Sequence, residues 1–411
     1  MQGFVGIVLI LVISWAISED HRAIRWRPVL AGVALAVVLA LALLKVPGVR
    51  EAVLGLNAVV EAIQAATQAG TSFVFGYLGG APPPFAENRP GTSFILAFQA
   101  LPVVLVMSAL SALLFHWGIL QQVVRGFSWL LRRTLGIGGA LGLSTAANVF
   151  VGMVEAPLLV KPYLARMSRG ELFAVMVVGM AGIAGTVMVL YASLLATAVP
   201  GALGHILVAS VITAPAGLAV SALMVPWGAE ETTAGDFDDG LRSGNAMDAI
   251  TRGTADGLLI FLNILAMLVV LVALVSHANT LLAVLPTVAG APLTLQRMMG
   301  WLFAPVAWSL GLPWAEATLG GALLGTKTVL NEFVAYLDFA KQADAFSEHS
   351  RLILTYALCG FANFGSLGIM IGGLGSMAPE RKAEIVQLGM KSILAGTFAT
   401  CLCGAIVGVL V

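Results

Sequence analysis

The sequence is poor in charge: of 411 residues only 10% are Asp, Glu, Lys or Arg, where ordinary soluble domains carry about 25%. Lysine plus arginine and aspartate plus glutamate both number 21, so the chain lacks the concentrated basic face that nucleic-acid binding requires. Cysteine is scarce as well. Cys359, Cys401 and Cys403 lie in apolar runs without a CxxC spacing, which reads as apolar filling rather than a disulfide or metal framework. None of the five histidines stands in a metal-ligand spacing such as HExxH, and His116 and His277 sit where apolar runs end. The segment GALLGTKT, Gly321 to Thr328, resembles a phosphate loop, but its lysine does not directly follow the second loop glycine and no strand precedes it. Without a nucleotide-binding module, any transport activity must draw on a gradient.

What fills the space is hydrophobicity, 59% of all residues. The chain therefore reads as an all-α polytopic membrane protein. Gly3 to Ile17 is a first span rather than a signal peptide, because no basic residue precedes it and it ends in Ser18-Glu19-Asp20 instead of small residues. Arg22, Arg25 and Arg27 place the following loop in the cytoplasm, and a second span covers Val29 to Val46. Between Glu51 and Tyr77, Asn57, Glu61, Gln64 and Gln68 recur on one helical face, which predicts an amphipathic helix. A loop through Pro82-Pro83-Pro84 and Glu87-Asn88-Arg89-Pro90 leads into a long span from Ser93 to about Leu120.

Breakers then dominate. Thr134 to Pro162 contains Gly136, Gly138, Gly139, Gly142 and Gly152, too many for a straight helix, and predicts a hairpin that enters and leaves on one side. Glu171 to Thr197 is interrupted at Gly179, Gly182 and Gly185, and Leu203 to Val225 follows as a further span. The acidic stretch 229–245 reads as a solvated linker, with calcium binding as the weaker alternative. Beyond a span from about Leu258 to Ser276 the pattern returns. Gly311 to Tyr336 is again glycine-rich, Arg351 to Leu374 is again interrupted, and Ile385 to Val411 closes the chain. Paired interrupted segments in two halves are the sequence signature of a carrier whose site lies at the membrane midplane.

Each predicted hairpin holds one carboxylate in apolar surroundings, Glu155 in GMVEAPLLVKP and Glu332 in LNEFVAY. A charge at membrane depth costs about 3 kcal/mol and persists where it faces water, a partner or a ligand. The second broken helix adds Asn363 and Ser366, three residues apart and so on one face. Carboxylates accept hydrogen bonds, whereas Asn and Ser both donate and accept. The set suits a neutral, hydroxyl-rich solute. The alternatives are helix cross-linking by these polar groups, a passive channel, or a membrane-embedded enzyme using the two glutamates as an acid/base pair. The last lacks a nucleophile or metal, so the chain is read as a non-enzyme.

Three motifs, GMVEAPLLVKP at Gly152 to Pro162, LNEFVAY at Leu330 to Tyr336 and GFANFGSLGI at Gly360 to Ile369, resemble the concentrative nucleoside transporter family, in the right order over nearly the whole chain. The resemblance implies a homotrimer in the bacterial inner membrane with eight transmembrane helices, two re-entrant hairpins and an interfacial amphipathic helix. It implies elevator-type import of nucleosides with sodium or protons, with no cofactor. The implied organisation is two spans and the interfacial helix in 1–92, a scaffold span in 93–133, the first hairpin and broken helix in 134–228 and an acidic linker in 229–255. A second scaffold span with its connection occupies 256–307, and the second hairpin and broken helix 308–411. The internal repeat is expected to be inverted.

By motif position, Glu332, Asn363 and Ser366 would hold ribose hydroxyls and Phe361 would form a hydrophobic barrier. Glu155, with Met153, Val154 and Val187, would serve the nucleobase. Asn148, the carbonyls of Val151 and Ile183, and position 182 would hold the coupling cation. Two departures stand out. Met153 and Val154 replace the Gln and Thr or Ser usual in the family, which predicts an altered base preference, toward purines. Gly182 replaces the serine of sodium-coupled relatives, which keeps proton coupling through Glu155 or Glu332 open beside sodium. A gradient-driven carrier for another nucleobase-like or polyhydroxylated solute is the runner-up function.

Overall fold

The computed structural model describes residues 2–85, 94–227, 244–288 and 290–411. The loop 87–90 and most of the acidic linker fall outside the described residues. Among those described, the chain is helical throughout, with one isolated bridge between Val288 and Ala291. It opens with α1 (Gln2–Ala16), α2 (Trp26–Lys45) and the amphipathic α3 (Val49–Phe75). The first half follows as α4 (Leu96–Gln99), α5 (Val103–His116), α6 (Ile119–Leu135), α7 (Gly139–Asn148), α8 (Glu155–Leu158), α9 (Lys161–Leu164), α10 (Arg169–Ala181), α11 (Gly185–Leu195) and α12 (Ala202–Met224). The second half comprises α13 (Ala246–Leu282), α14 (Leu295–Leu310), α15 (Trp314–Val329), α16 (Glu332–Lys341), α17 (Glu348–Leu358), α18 (Phe364–Met377) and α19 (Lys382–Leu410).

Among the described residues six helices, counting the broken α10–α11 as one, are long and apolar enough to cross a membrane, and α1 and α18 are shorter apolar helices. The two halves use the same parts in the same order: a long helix (α5, α13), a connecting helix (α6, α14), a hairpin (α7–α8, α15–α16), a broken helix (α10–α11, α17–α18) and a closing span (α12, α19). Polar caps set the starts. Ser168 and Glu171 form a capping box on α10, and Asn331, Ser347 and Asn363 accept backbone N–H groups at the starts of α16, α17 and α18.

Small residues let the helices approach in a phase where burial from lipid supplies little drive. On α13, a Cβ at Gly253 would lie 2.7 Å from the Ser108 carbonyl oxygen and one at Gly257 2.9 Å from Ser108 Cβ, so α5 and α13 pack backbone to backbone. Gly6 of α1 meets the Ser309 carbonyl oxygen of α14 in the same way, at 2.4 Å from a built Cβ. The closing spans α12 and α19 touch one another and take α10 and α17 between them. The first two helices are not a separate unit, since α1 lies on α14 and α19 and α2 lies along α12.

Candidate functional site

Both broken helices break where backbone must pass close to backbone. A Cβ at Gly360 would stand 2.4 Å from the Ala181 carbonyl oxygen, and the backbone N–H of Phe361 donates to the Gly182 carbonyl at 3.2 Å. The first break therefore rests directly on the second. Gly185 completes the joint: its N–H donates to the Phe150 carbonyl in the first hairpin at 3.1 Å.

Glu332 is the first residue of α16, where the helix dipole favours an anion, and it is 5% exposed. Its Oε1 accepts the Tyr191 hydroxyl at 2.6 Å and its Oε2 accepts Asn363 Nδ2 at 3.0 Å. Asn363 is oriented by the start of α18, because its Oδ1 accepts the Ser366 N–H at 2.8 Å and leaves Nδ2 to face the carboxylate. Glu332, Asn363 and Ser366 thus come together as the sequence pattern requires. Tyr191 was missed. Its run, VMVLYASLL, carries no polar periodicity, and only its position six residues after Gly185 hints that it faces the break. Its ring packs on Tyr336 and Phe333, with centroids at 5.2 and 6.2 Å.

Glu155 sits elsewhere. Its side chain folds back over Gly152 and opens into a cavity of about 220 Å³ between the first hairpin and the α5–α13 pair. Ser108, Thr186, Arg252 and Asp256 line the same space. The Ser108 and Thr186 hydroxyls are buried and have no hydrogen-bond partner among the described residues, so the cavity offers unmet polar groups to whatever enters it. Arg252 turns back to Asp248 at 3.4 Å. Glu332 does not line this cavity. Thr186 and the α13 residues were also missed in sequence, since hydroxyls and charges on helices some 70 residues apart reveal no common face.

Met153 is buried against Gly179, which Met370 also approaches, and Val154 packs on Gly373. Val187 is buried beside Thr186. Asn148, the last residue of α7, is 4% exposed and donates Nδ2 to the Val178 carbonyl at 2.9 Å, and its Oδ1 accepts no hydrogen bond among the described residues. The carbonyls of Val151 and Ile183 receive no hydrogen bond among the described residues. A Cβ at Gly182 would lie 2.3 Å from Asn148 Nδ2, so a serine there would require the amide to swing away. Asn148 Oδ1 and the carbonyls of Val151 and Ile183 are all neutral oxygens, the ligand type that a hard monovalent cation accepts.

Comparison with known proteins bears on these sites. Residues 205–408 match the family model described as the C-terminus of Na+ dependent nucleoside transporters, residues 5–78 match its N-terminus, and residues 97–198 match a nucleoside recognition (Gate) model. The chain is 38% identical to an uncharacterized transporter of Bacillus subtilis, YutK, covering 100% of this chain and 99% of that protein. It is 35% identical to the nucleoside permease NupC of Helicobacter pylori, covering 99% and 97%. Among solved structures, CNTnw in an inward-facing substrate-bound state superposes with a TM-score of 0.91 at 35% identity, over 99% of this chain and 98% of that one.

Proposed function

The chain belongs to the Na+ dependent nucleoside transporter family, and from that premise we propose that it is a symporter that brings nucleosides across the bacterial inner membrane on a sodium gradient. The observation that carries this reading is the Glu332 carboxylate, buried at the junction of the two helix breaks with one oxygen on Tyr191 and the other on Asn363. A group so placed binds hydroxyls. In the loaded carrier the ribose hydroxyls replace the Tyr191 hydroxyl on Glu332 and reach Asn363 and Ser366, while Phe361 closes the apolar floor. Glu155 and the unpartnered Thr186 hydroxyl serve the base from the neighbouring cavity. Met153 and Val154, held in the core, set the position of that wall and offer the base apolar contact only.

Sodium fits the first break, where Asn148 Oδ1 and the carbonyls of Val151 and Ile183 supply hard oxygens and Gly182 supplies none. Because the Gly182 carbonyl is itself bonded to Phe361, an ion at the first break stiffens the backbone that carries Asn363. That linkage gives sodium a way to favour solute binding. The carrier works as a homotrimer in which α5 and α13 form the static wall and the hairpins move against it. Uptake of labelled purine and pyrimidine nucleosides into proteoliposomes is the test, under separate sodium and proton gradients. Accumulation on a sodium gradient is expected, with purines ahead of pyrimidines. Accumulation on a proton gradient alone would replace the ion, and no accumulation on either would end the reading.

A further inference from the structure

Lys327, the lysine of the discarded GALLGTKT motif, lies in the last turn of α15 and is completely buried. Its ammonium donates to the Ala357 carbonyl at 2.8 Å and to Thr400 Oγ1 at 2.6 Å, and it is in no ion pair among the described residues. Burying an ammonium on neutral acceptors is costly, so its surroundings must compensate with negative potential. The end of a helix supplies it. Ala357 is the penultimate residue of α17, and the carbonyls there lack helical partners and carry the negative end of the dipole.

The first half makes the same joint with a different group. Asn148 in the last turn of α7 reaches the Val178 carbonyl in the last turn of α10, as Lys327 in the last turn of α15 reaches the Ala357 carbonyl in the last turn of α17. In both halves, the end of a hairpin's first arm holds the carbonyls that end the first segment of a broken helix. In the first half that contact is a neutral amide beside free carbonyls. In the second it is a fixed positive charge.

We propose that Lys327 is the resident cation of the second half, a tethered ammonium that permanently does at the second break what an ion from solution does at the first. This rests on the sodium coupling proposed above. It assigns one sodium to each transport cycle, because the second break is already filled, and it makes Lys327 a positioning residue for the Asn363 end of the solute site. Removing the charge while keeping the bulk, as in Lys327→Met, leaves helix-end carbonyls with unmet negative potential that only a second ion can satisfy.

The test is nucleoside uptake into proteoliposomes, with tritiated adenosine and uridine, as a function of sodium concentration. The unmodified carrier is expected to follow a curve with a Hill coefficient of about one, and Lys327→Met one that approaches two with half-saturation raised about tenfold or more. In Lys327→Ala, which leaves room at the break, ethylammonium should restore uptake where ethanol does not. A Hill coefficient near two in the unmodified carrier overturns the proposal whether or not the variants fold. An unchanged sodium curve in Lys327→Met, or equal rescue by ethanol, overturns it too. Uptake by the unmodified carrier that ignores sodium takes down the sodium coupling and this assignment together.

Discussion

The two halves are built from the same elements, yet their hairpins are finished differently. The first ends in an irregular tip from Val149 to Val154, with a carboxylate open to a cavity and a neutral amide at the helix break. The second passes from α15 to α16 through only Leu330 and Asn331, with a carboxylate held on both oxygens and a buried ammonium at the break. Glu332 is sealed and Glu155 is accessible. The difference shows that one architecture yields a half whose buried charged groups are hydrogen-bonded and an open half that still has polar groups to satisfy. Coupling needs that asymmetry, because two identical sealed halves would have nothing left for a solute or an ion to complete.

The strongest way to break the comparison is to open the sealed half. Glu332→Ala removes the acceptor for both the Tyr191 hydroxyl and Asn363 Nδ2, and each buried donor left unpaired costs about 1–3 kcal/mol. Uptake of all nucleosides is expected to fall to background, with the protein still recovered as a folded carrier. Glu155→Ala, in the accessible half, should reduce uptake less and unequally between bases. If side-by-side uptake assays gave the reverse ranking, the assignment of Glu332 to the invariant part of the solute and Glu155 to the variable part would be wrong.

The neutral break of the open half offers a smaller effect. Gly182→Ala sets a methyl group 2.3 Å from Asn148 Nδ2 and pushes the amide off the Val178 carbonyl. Losing one buried hydrogen bond of about 1 kcal/mol should raise half-saturating sodium about fivefold. The maximal rate at saturating sodium should change little. A sodium titration of uptake that left the midpoint in place would separate Asn148 from the ion.

Much of this was legible in the residues because membranes impose simple rules. Spans announce themselves by apolar length, and the glycines at 136–152, 179–185 and 360–373 marked the hairpin and the breaks. Paired with the two glutamates, they showed a repeated architecture. That Asn363 and Ser366 share a face was legible from their spacing. The failures share a cause. Tyr191, Thr186 and Asp256 each stand singly in an otherwise uninformative helix, and what they face depends on how α11 and α13 are turned toward distant hairpins. Lys327 stood out in sequence only through a phosphate-loop resemblance that fails, whereas its contacts are with Ala357 and Thr400, 30 and 73 residues away. A close backbone passage such as Gly360 on Ala181 explains a glycine after the fact. The glycine does not say in advance which backbone it will meet.

The smallest expected effect lies where the halves are tied together at one end of the bundle. Glu19, in the loop between α1 and α2, accepts Arg169 of the first half at 3.0 Å and Lys391 of the second at 2.7 Å, and Arg169 also reaches Glu384 at 3.4 Å. The Arg169 hydrogen bond, more than the added attraction of Lys391, holds the Glu19 carboxyl down at about 2 from an ordinary 4.5. A depressed carboxyl contributes stability that is full above its unfolded value and is lost as pH falls toward the folded one, so the contribution should fade between about pH 4.5 and pH 2. The partners are partly exposed, with Arg169 at 40%, so Glu19→Gln should cost no more than about 1 kcal/mol at neutral pH. Thermal unfolding of the purified carrier at pH 7 and pH 3 checks this, because the gap between the two proteins should be full at pH 7 and clearly narrowed at pH 3. A gap undiminished at pH 3 would mean that Glu19 ties the halves by shape rather than by charge. The loop would then join them whatever its protonation, and the asymmetry between the halves would rest entirely on the breaks.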